Sequence, residues 1–203
     1  MGFFHQADDA CPYPEKRKLT EEEGLELAES MIHGGESTAG TAASILITYR
    51  CVEPLMQVLR SNSKKAAQLA ENGIWEIWHS EKGDAARNRL ENGMRHLSCN
   101  RHCEAIQIFQ ELMHAYPDWI EPRFKAATVL FFKERLSDCV ELCKTIVDKA
   151  PQHFGAWHTI AMCALQLGEC CAARVAIEKV LELNPHSQSN RELIEYLKQI
   201  ENC

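Results

Sequence analysis

His96, Cys99, His102 and Cys103 crowd more metal-ligating side chains into one short stretch than any other part of the sequence. A zinc ion needs four such ligands converging in a tetrahedron. Cys99 and Cys103 straddle an expected inter-helix turn near Asn100, so they share no helix face, and no Cys-x-x-Cys pair occurs anywhere. The stretch therefore reads as an ordinary turn, and neither a metal nor another cofactor is expected. Cys139 and Cys143 fall at helical core spacing, where a thiol acts as a small, inert hydrophobe. Cys170 and Cys171 open a helix, whose N-terminal end can lower a thiol pKa, so Cys170 is the one cysteine to test for reactivity. His153 lies in a turn and is expected to cap it through nearby carbonyls, with Phe154 plugging the seam and Gly155 allowing close approach. There is no glycine-rich phosphate loop, nucleophile elbow or Ser/His/Asp ordering, so no catalytic residue is assigned and the chain reads as a non-enzyme.

The elements that must hold these residues belong to an ordinary soluble composition: 203 residues, 45% hydrophobic and 25% charged. A net charge of −7 opposes nucleic-acid binding, which needs a basic face to displace counterions. The longest apolar stretch, around Ala42 to Ile47, falls far below the ~20 residues of a membrane helix, so no membrane insertion is expected. The first residues lack a secretory pattern, Gln6 stands where a myristoylation signal has Ser or Thr, and Cys203 leaves no prenylation box. Ten cysteines without a paired motif fit a reduced, intracellular protein of the cytoplasm or an organelle.

Along the chain, residues 1–18 read as a flexible tail and 19–85 as a helical segment. Thr20 followed by Glu23 is a capping box, and the helix it opens stops at Gly34-Gly35. A polar linker should lead to a second helix near 41–61, kinked or divided by Pro54. A third helix should follow Ser63 and carry Trp75 and Trp78 before Gly83.

From Ala86 the pattern changes. Pro117, Pro151 and Pro185 lie 34 residues apart, the tetratricopeptide period. With each proline at position 32, the repeats run 86–119, 120–153 and 154–187. Position 8 is then Gly93, Ala127 and Ala161, and position 20 is Ala105, Cys139 and Ala173. Small groups at these sites let two antiparallel helices approach. Position 24 (Phe109, Cys143, Ile177) and position 27 (Leu112, Ile146, Val180) fill the space between repeats. Residues 188–203 add an amphipathic helix whose Leu193, Ile194, Leu197 and Ile200 would cover the last repeat; the Trp75/Trp78 helix would cover the first. The fold class is all-α: a right-handed superhelical solenoid of three helix-turn-helix repeats with N-terminal helices and a C-terminal capping helix.

The first helix of each repeat lines a concave groove in this architecture. The groove residues are Arg87, Met94, Phe124, Lys125, Thr128, Phe132, His158, Met162 and Gln166, with Phe131 and Leu165 turned inward. Aromatic anchors and adaptable Met side chains suit an apolar or amphipathic protein segment. A carboxylate clamp for acidic C-terminal peptides needs several cationic or amide donors. Leu90, Met94, Lys125, Gly155 and Thr159 occupy its positions, and only Lys125 could serve.

From Leu69 to Glu182 the sequence resembles tetratricopeptide proteins of bacteria and of plant and algal plastids. Ile74-Trp75-Glu76-Ile77-Trp78-His79, Ala127-Thr128-Val129-Leu130 and Pro151-Gln152-His153-Phe154-Gly155-Ala156 carry the likeness. Arg123-Phe124-Lys125-Ala126 departs from it, standing where those proteins tend to have an aromatic residue, an Asn and an Arg. The resemblance implies a small repeat scaffold without a shared catalytic activity, and it adds the plastid as a compartment. The function expected is that of an adaptor or assembly factor. The alternative is an accessory subunit whose residues 1–65 hold a separate ligand-binding or catalytic role.

Overall fold

A computed structural model describes residues 18–201; residues 1–17, 202 and 203, with the expected tail and the signals considered at Gly2 and Cys203, lie outside the described residues. Eleven α-helices and no strands occur among them. α1 (Glu21–His33) opens on a closed capping box: Thr20 Oγ1 accepts from the Glu23 N–H while the Glu23 carboxylate accepts from the Thr20 N–H. α2 (Glu36–Thr48) starts earlier than expected, so residues 36–40 are helix rather than linker, with Glu36 favourably placed at the positive end of the helix. The helix expected near 41–61 is divided, but ahead of Pro54. α3 (Val52–Leu59) carries Pro54 in its first turn, where no intrahelical donor is missed. α4 (Lys64–His79) is capped by Ser63, whose hydroxyl accepts from the Ala66 N–H.

The break between α2 and α3 repeats the geometry of the solenoid. Arg50 has φ 58°, and left-handed residues recur at Asn100, Glu134 and Gly168, each in the turn between paired helices. At all four turns the next N–H reaches back five residues: Cys51 to Leu46, Arg101 to His96, Arg135 to Leu130 and Glu169 to Ala164. This closure satisfies carbonyls that a helix end leaves open. Arg50 also donates to the Ile77 and Ser80 carbonyls, capping the end of α4.

Three helix pairs follow: α5 (Gly83–Ser98) with α6 (His102–Ala115), α7 (Ile120–Phe132) with α8 (Leu136–Lys149), and α9 (Phe154–Gln166) with α10 (Cys170–Leu183). α5 begins ahead of the periodic start at Ala86. The small position-8 residue is required in the first pair, because a Cβ on Gly93 would lie 2.5 Å from Phe109 Cε1. Tyr116, Ala150 and Asn184, each before a repeat proline, have φ of −134°, −134° and −135°, the extended backbone that a following proline favours. Arg123, Trp157 and Arg191 then donate to the carbonyls of Pro117, Pro151 and Pro185. Arg191 belongs to α11 (Gln188–Glu201), which thus stands where a fourth first-helix would stand. Leu197 is buried against the third repeat, Leu193 and Ile194 flank it, and Glu192, Glu195 and Lys198 face solvent, as a capping helix requires. The Ile200 side chain lies outside the described residues.

α1–α4 form a bundle around Met31, Leu46, Leu55, Met56 and Ile74, and that core continues into Phe154, Val180 and Leu183 of the third repeat. α4 therefore does not cover the front of the first repeat as expected. It lies across the seam between repeats two and three, because Trp75 and Trp78 find their aromatic partners there. Trp119 Nε1 donates to the Trp78 carbonyl at 2.8 Å, and His186 Nε2 donates to the Ser61 carbonyl at 2.6 Å. No helix among the described residues is long and apolar enough to cross a membrane.

Candidate functional site

α5, α7 and α9 stand side by side along the face expected to be concave, and α4 packs against α7. At the N-terminal ends of α7 and α9 the face is closed. Trp75 stacks on Phe124 with ring centroids 5.9 Å apart and stands edge-on to Phe154 at 5.2 Å. Gly155 makes this possible: a Cβ there would lie 2.8 Å from Trp75 Cη2 and 3.0 Å from Phe124 Cζ. Phe124 and Lys125, expected as groove residues, are only 8% and 9% exposed. The chain's own helix covers them, which corrects the expectation of an open groove at that end.

A buried carboxylate anchors the closed half. Glu121 is 1% exposed. His153 Nδ1 accepts the Ala156 N–H at 3.0 Å, which leaves the ring proton on Nε2 to be donated to Glu121 Oε1 at 2.9 Å. His79 Nε2 of α4 and Lys125 Nζ approach the other oxygen at 3.3 and 3.4 Å. Burial by itself would raise the Glu121 carboxyl, but the contacts from His153 and His79 and the Lys125 charge outweigh it and hold the group well below the carboxylate range. Lys125 also lies 4.9 Å from the Trp75 ring centre and 4.8 Å from that of Phe124. His153 thus caps α9 as expected, but not through carbonyls: its ring accepts a backbone N–H and donates to the carboxylate at the start of its own repeat. The two quoted motifs containing His79 and His153 meet here, and Glu121 is the residue that sequence reasoning missed.

Toward the C-terminal ends of α7 and α9 the face is open. Thr128, Phe131, Phe132, His158, Thr159 and Met162 surround a hollow of about 210 Å³. Phe132 is 56% exposed. The Thr128 and Thr159 hydroxyls donate to the Phe124 and Gly155 carbonyls within their own helices, so they leave no free donor in an otherwise apolar hollow. Four expected groove residues, Thr128, Phe132, His158 and Met162, are therefore brought together. Arg87 is not with them, being paired to Glu76 and Glu91. Met94 packs on the core of the first repeat, and Gln166 is exposed beyond the hollow.

The other chemical candidates sit apart. Cys99 and Cys103 are exposed, His102 stacks on Phe132 at 6.1 Å, and among the described residues no three His, Cys, Asp or Glu side chains could hold a metal. Cys139 and Cys143 are buried as expected and share the core with Cys163. The Cys139 thiol is pushed up to about 12, first by its contact with Cys143 and further by burial, and it donates to the Ala127 carbonyl at 3.1 Å. Cys170 opens α10 half-buried.

No protein-family model matches the chain, and no curated protein matches it. Among solved structures it is similar to MamA 41-end from Desulfovibrio magneticus RS-1, at 13% identity over 83% of this chain and 87% of that one, with a TM-score of 0.52. At that identity the likeness is one of fold: an all-helical solenoid of the tetratricopeptide type.

Proposed function

We propose, from a tetratricopeptide-type solenoid with half of its concave face open, that the chain is a non-catalytic scaffold that binds an apolar or amphipathic segment of another protein. The observation that carries this reading is Phe132, a large aromatic side chain 56% exposed at the rim of a hollow floored by Phe131 and Met162. A bulky side chain entering such a hollow gains burial at about 25 cal/mol per Å² of apolar surface. The partner is an ordinary protein segment rather than an acidic C-terminus, because Lys125, the one clamp-type donor, is already committed to Glu121. The plastid-type likeness of the His-Phe-Gly-Ala stretch belongs to this same reading, as the part of the scaffold that positions α4.

Affinity capture from native lysate tests it, with the wild type beside a Phe132→Ser/Met162→Ser variant. The wild type should enrich a small set of proteins that the variant loses, with unchanged helical circular dichroism. Equal capture by both proteins would overturn the reading.

A second reading gives residues 1–65 a ligand of their own, and a hollow of about 430 Å³ between α1, α2 and α4 supports it. Gly40 lines that hollow and a Cβ there would meet nothing within 4 Å, so Gly40→Leu is the substitution that would occupy it. If Gly40→Leu leaves the cell phenotype and the captured proteins unchanged, this second reading is excluded.

A further inference from the structure

Beside the apolar hollow lies a smaller one of about 180 Å³, and His158 lines both. Trp75 and Phe154 give it apolar lining, and Glu71, one turn before Trp75 on α4, lines it as well. Its polar groups are already oriented. His158 Nδ1 donates to Asn190 Oδ1 at 2.8 Å, and Asn190 Nδ2 donates to Ser187 Oγ, so a neutral His158 presents its Nε2 lone pair as an acceptor. Glu71 is half-buried and has no ion-pair partner among the described residues. Asn184 is 2% exposed; its Oδ1 accepts from the His186 N–H, and its NH2 donates to no group among the described residues. A carboxylate and an imidazole lone pair thus line the hollow as acceptors, with the Asn184 amide beside them. Drug-sized ligands need roughly 300 Å³ or more, so a hollow of this size suits a side chain rather than a free cofactor.

We propose that this hollow receives the cationic side chain of a lysine or arginine from the bound segment, one helical turn away from the apolar residue that enters the Phe132–Met162 hollow. The proposal rests on the concave-face reading and specifies its partner: an amphipathic segment pairing a bulky apolar residue with a basic one. Residues three or four apart on a helix stand about 5–6 Å from each other, enough to pass on either side of His158. The side-chain N–H groups donate to Glu71 and His158, and the Asn184 NH2 donates to a carbonyl of the segment. The net charge of −7 favours the approach of such a segment.

The test uses the full chain and three fluorescent helical peptides on an uncharged Ala/Gln background, carrying Leu with Arg, Gln or Glu four residues on. The wild type should bind Leu/Arg about tenfold more tightly than Leu/Gln, the scale of one charge-assisted hydrogen bond in a partly buried site. Glu71→Gln should erase that difference, and Glu71→Lys should turn the preference to Leu/Glu. An Arg preference that survives both substitutions, or no preference in the wild type, overturns the cation site. If Leu/Arg and Leu/Gln bind equally and Phe132→Ser weakens both, the cation site falls while the concave-face reading stands. If none of the three peptides binds, the cation site falls, and lysate capture alone decides the concave face.

Discussion

The two halves of the concave face are built from the same helices and end differently. Phe124 lies near the start of α7 beneath Trp75, while Phe132 lies at the end of α7 in solvent. The closed half has a polar anchor at Glu121, a glycine that admits an indole, and an aromatic helix laid over it. The open half has apolar side chains around a hollow, threonines whose donors are spent within their own helices, and His158, whose Nδ1 is held by Asn190. A position in a repeat assigns a face; whether that face is free depends on what the rest of the chain places on it.

Removing the anchor should have the largest effect on this contrast. Glu121→Ala leaves the His153 Nε2–H, His79 and Lys125 buried around a missing charge, and breaking such a set typically costs about 3–5 kcal/mol. Urea unfolding of the variant measures the loss; a stability equal to the wild type would mean that the closed half does not depend on the carboxylate. The same group makes a pH prediction. Its folded pKa is depressed below the ordinary 4.5, so the unfolded chain takes up this proton first as the solution is acidified. The stabilisation is complete above that ordinary value and is lost as pH falls below it, at up to about 1.4 kcal/mol per pH unit. The wild-type advantage over Glu121→Ala should therefore shrink steadily as pH falls below about 4.5.

A second, smaller perturbation acts on shape instead of charge. Gly155→Val puts a branched side chain where even a Cβ would lie 2.8 Å from Trp75 Cη2. Overpacking of this kind typically costs about 1–3 kcal/mol. The indole is pushed toward solvent, so the tryptophan emission should shift to the red. An unshifted spectrum with full stability would mean that Trp75 does not depend on the glycine.

Much of this architecture can be read from the residues alone, and the exceptions share a cause. The prolines at 117, 151 and 185, the small residues at positions 8 and 20 and the Thr20 capping box are local or periodic signals, and each corresponds to a packing or capping contact. The α2–α3 turn at Arg50 repeats the solenoid geometry but falls outside the 34-residue period, so spacing does not reveal it. The docking of α4 over α7 joins residues far apart in sequence through an aromatic stack and one carboxylate, neither of which leaves a periodic trace. The open hollow was accessible from position numbers because Thr128, Phe132, His158 and Met162 occupy equivalent concave sites on neighbouring helices. The same logic places Phe124 in the groove, where Trp75 covers it.

The smallest stability effect is the sharpest test of the contrast. Phe124→Ser and Phe132→Ser make the same chemical change on the same helix. In the closed half the lost ring leaves a cavity against Trp75, Gly155 and His153, and truncating a buried Phe typically costs about 3–5 kcal/mol. In the open half Phe132 already spends most of its surface in water, and among the described residues its ring partners are His102, on which it stacks, and Phe131, edge-on, so its replacement should change stability by no more than about 0.5 kcal/mol. Parallel urea titrations of the two variants measure both numbers, and the same samples can be used for partner capture. A stable Phe132→Ser protein that no longer captures its partner separates binding from folding at this residue. A loss of several kcal/mol at Phe132 would mean instead that the ring supports the solenoid, and the open half would then be an extension of the core rather than a surface kept free for another protein.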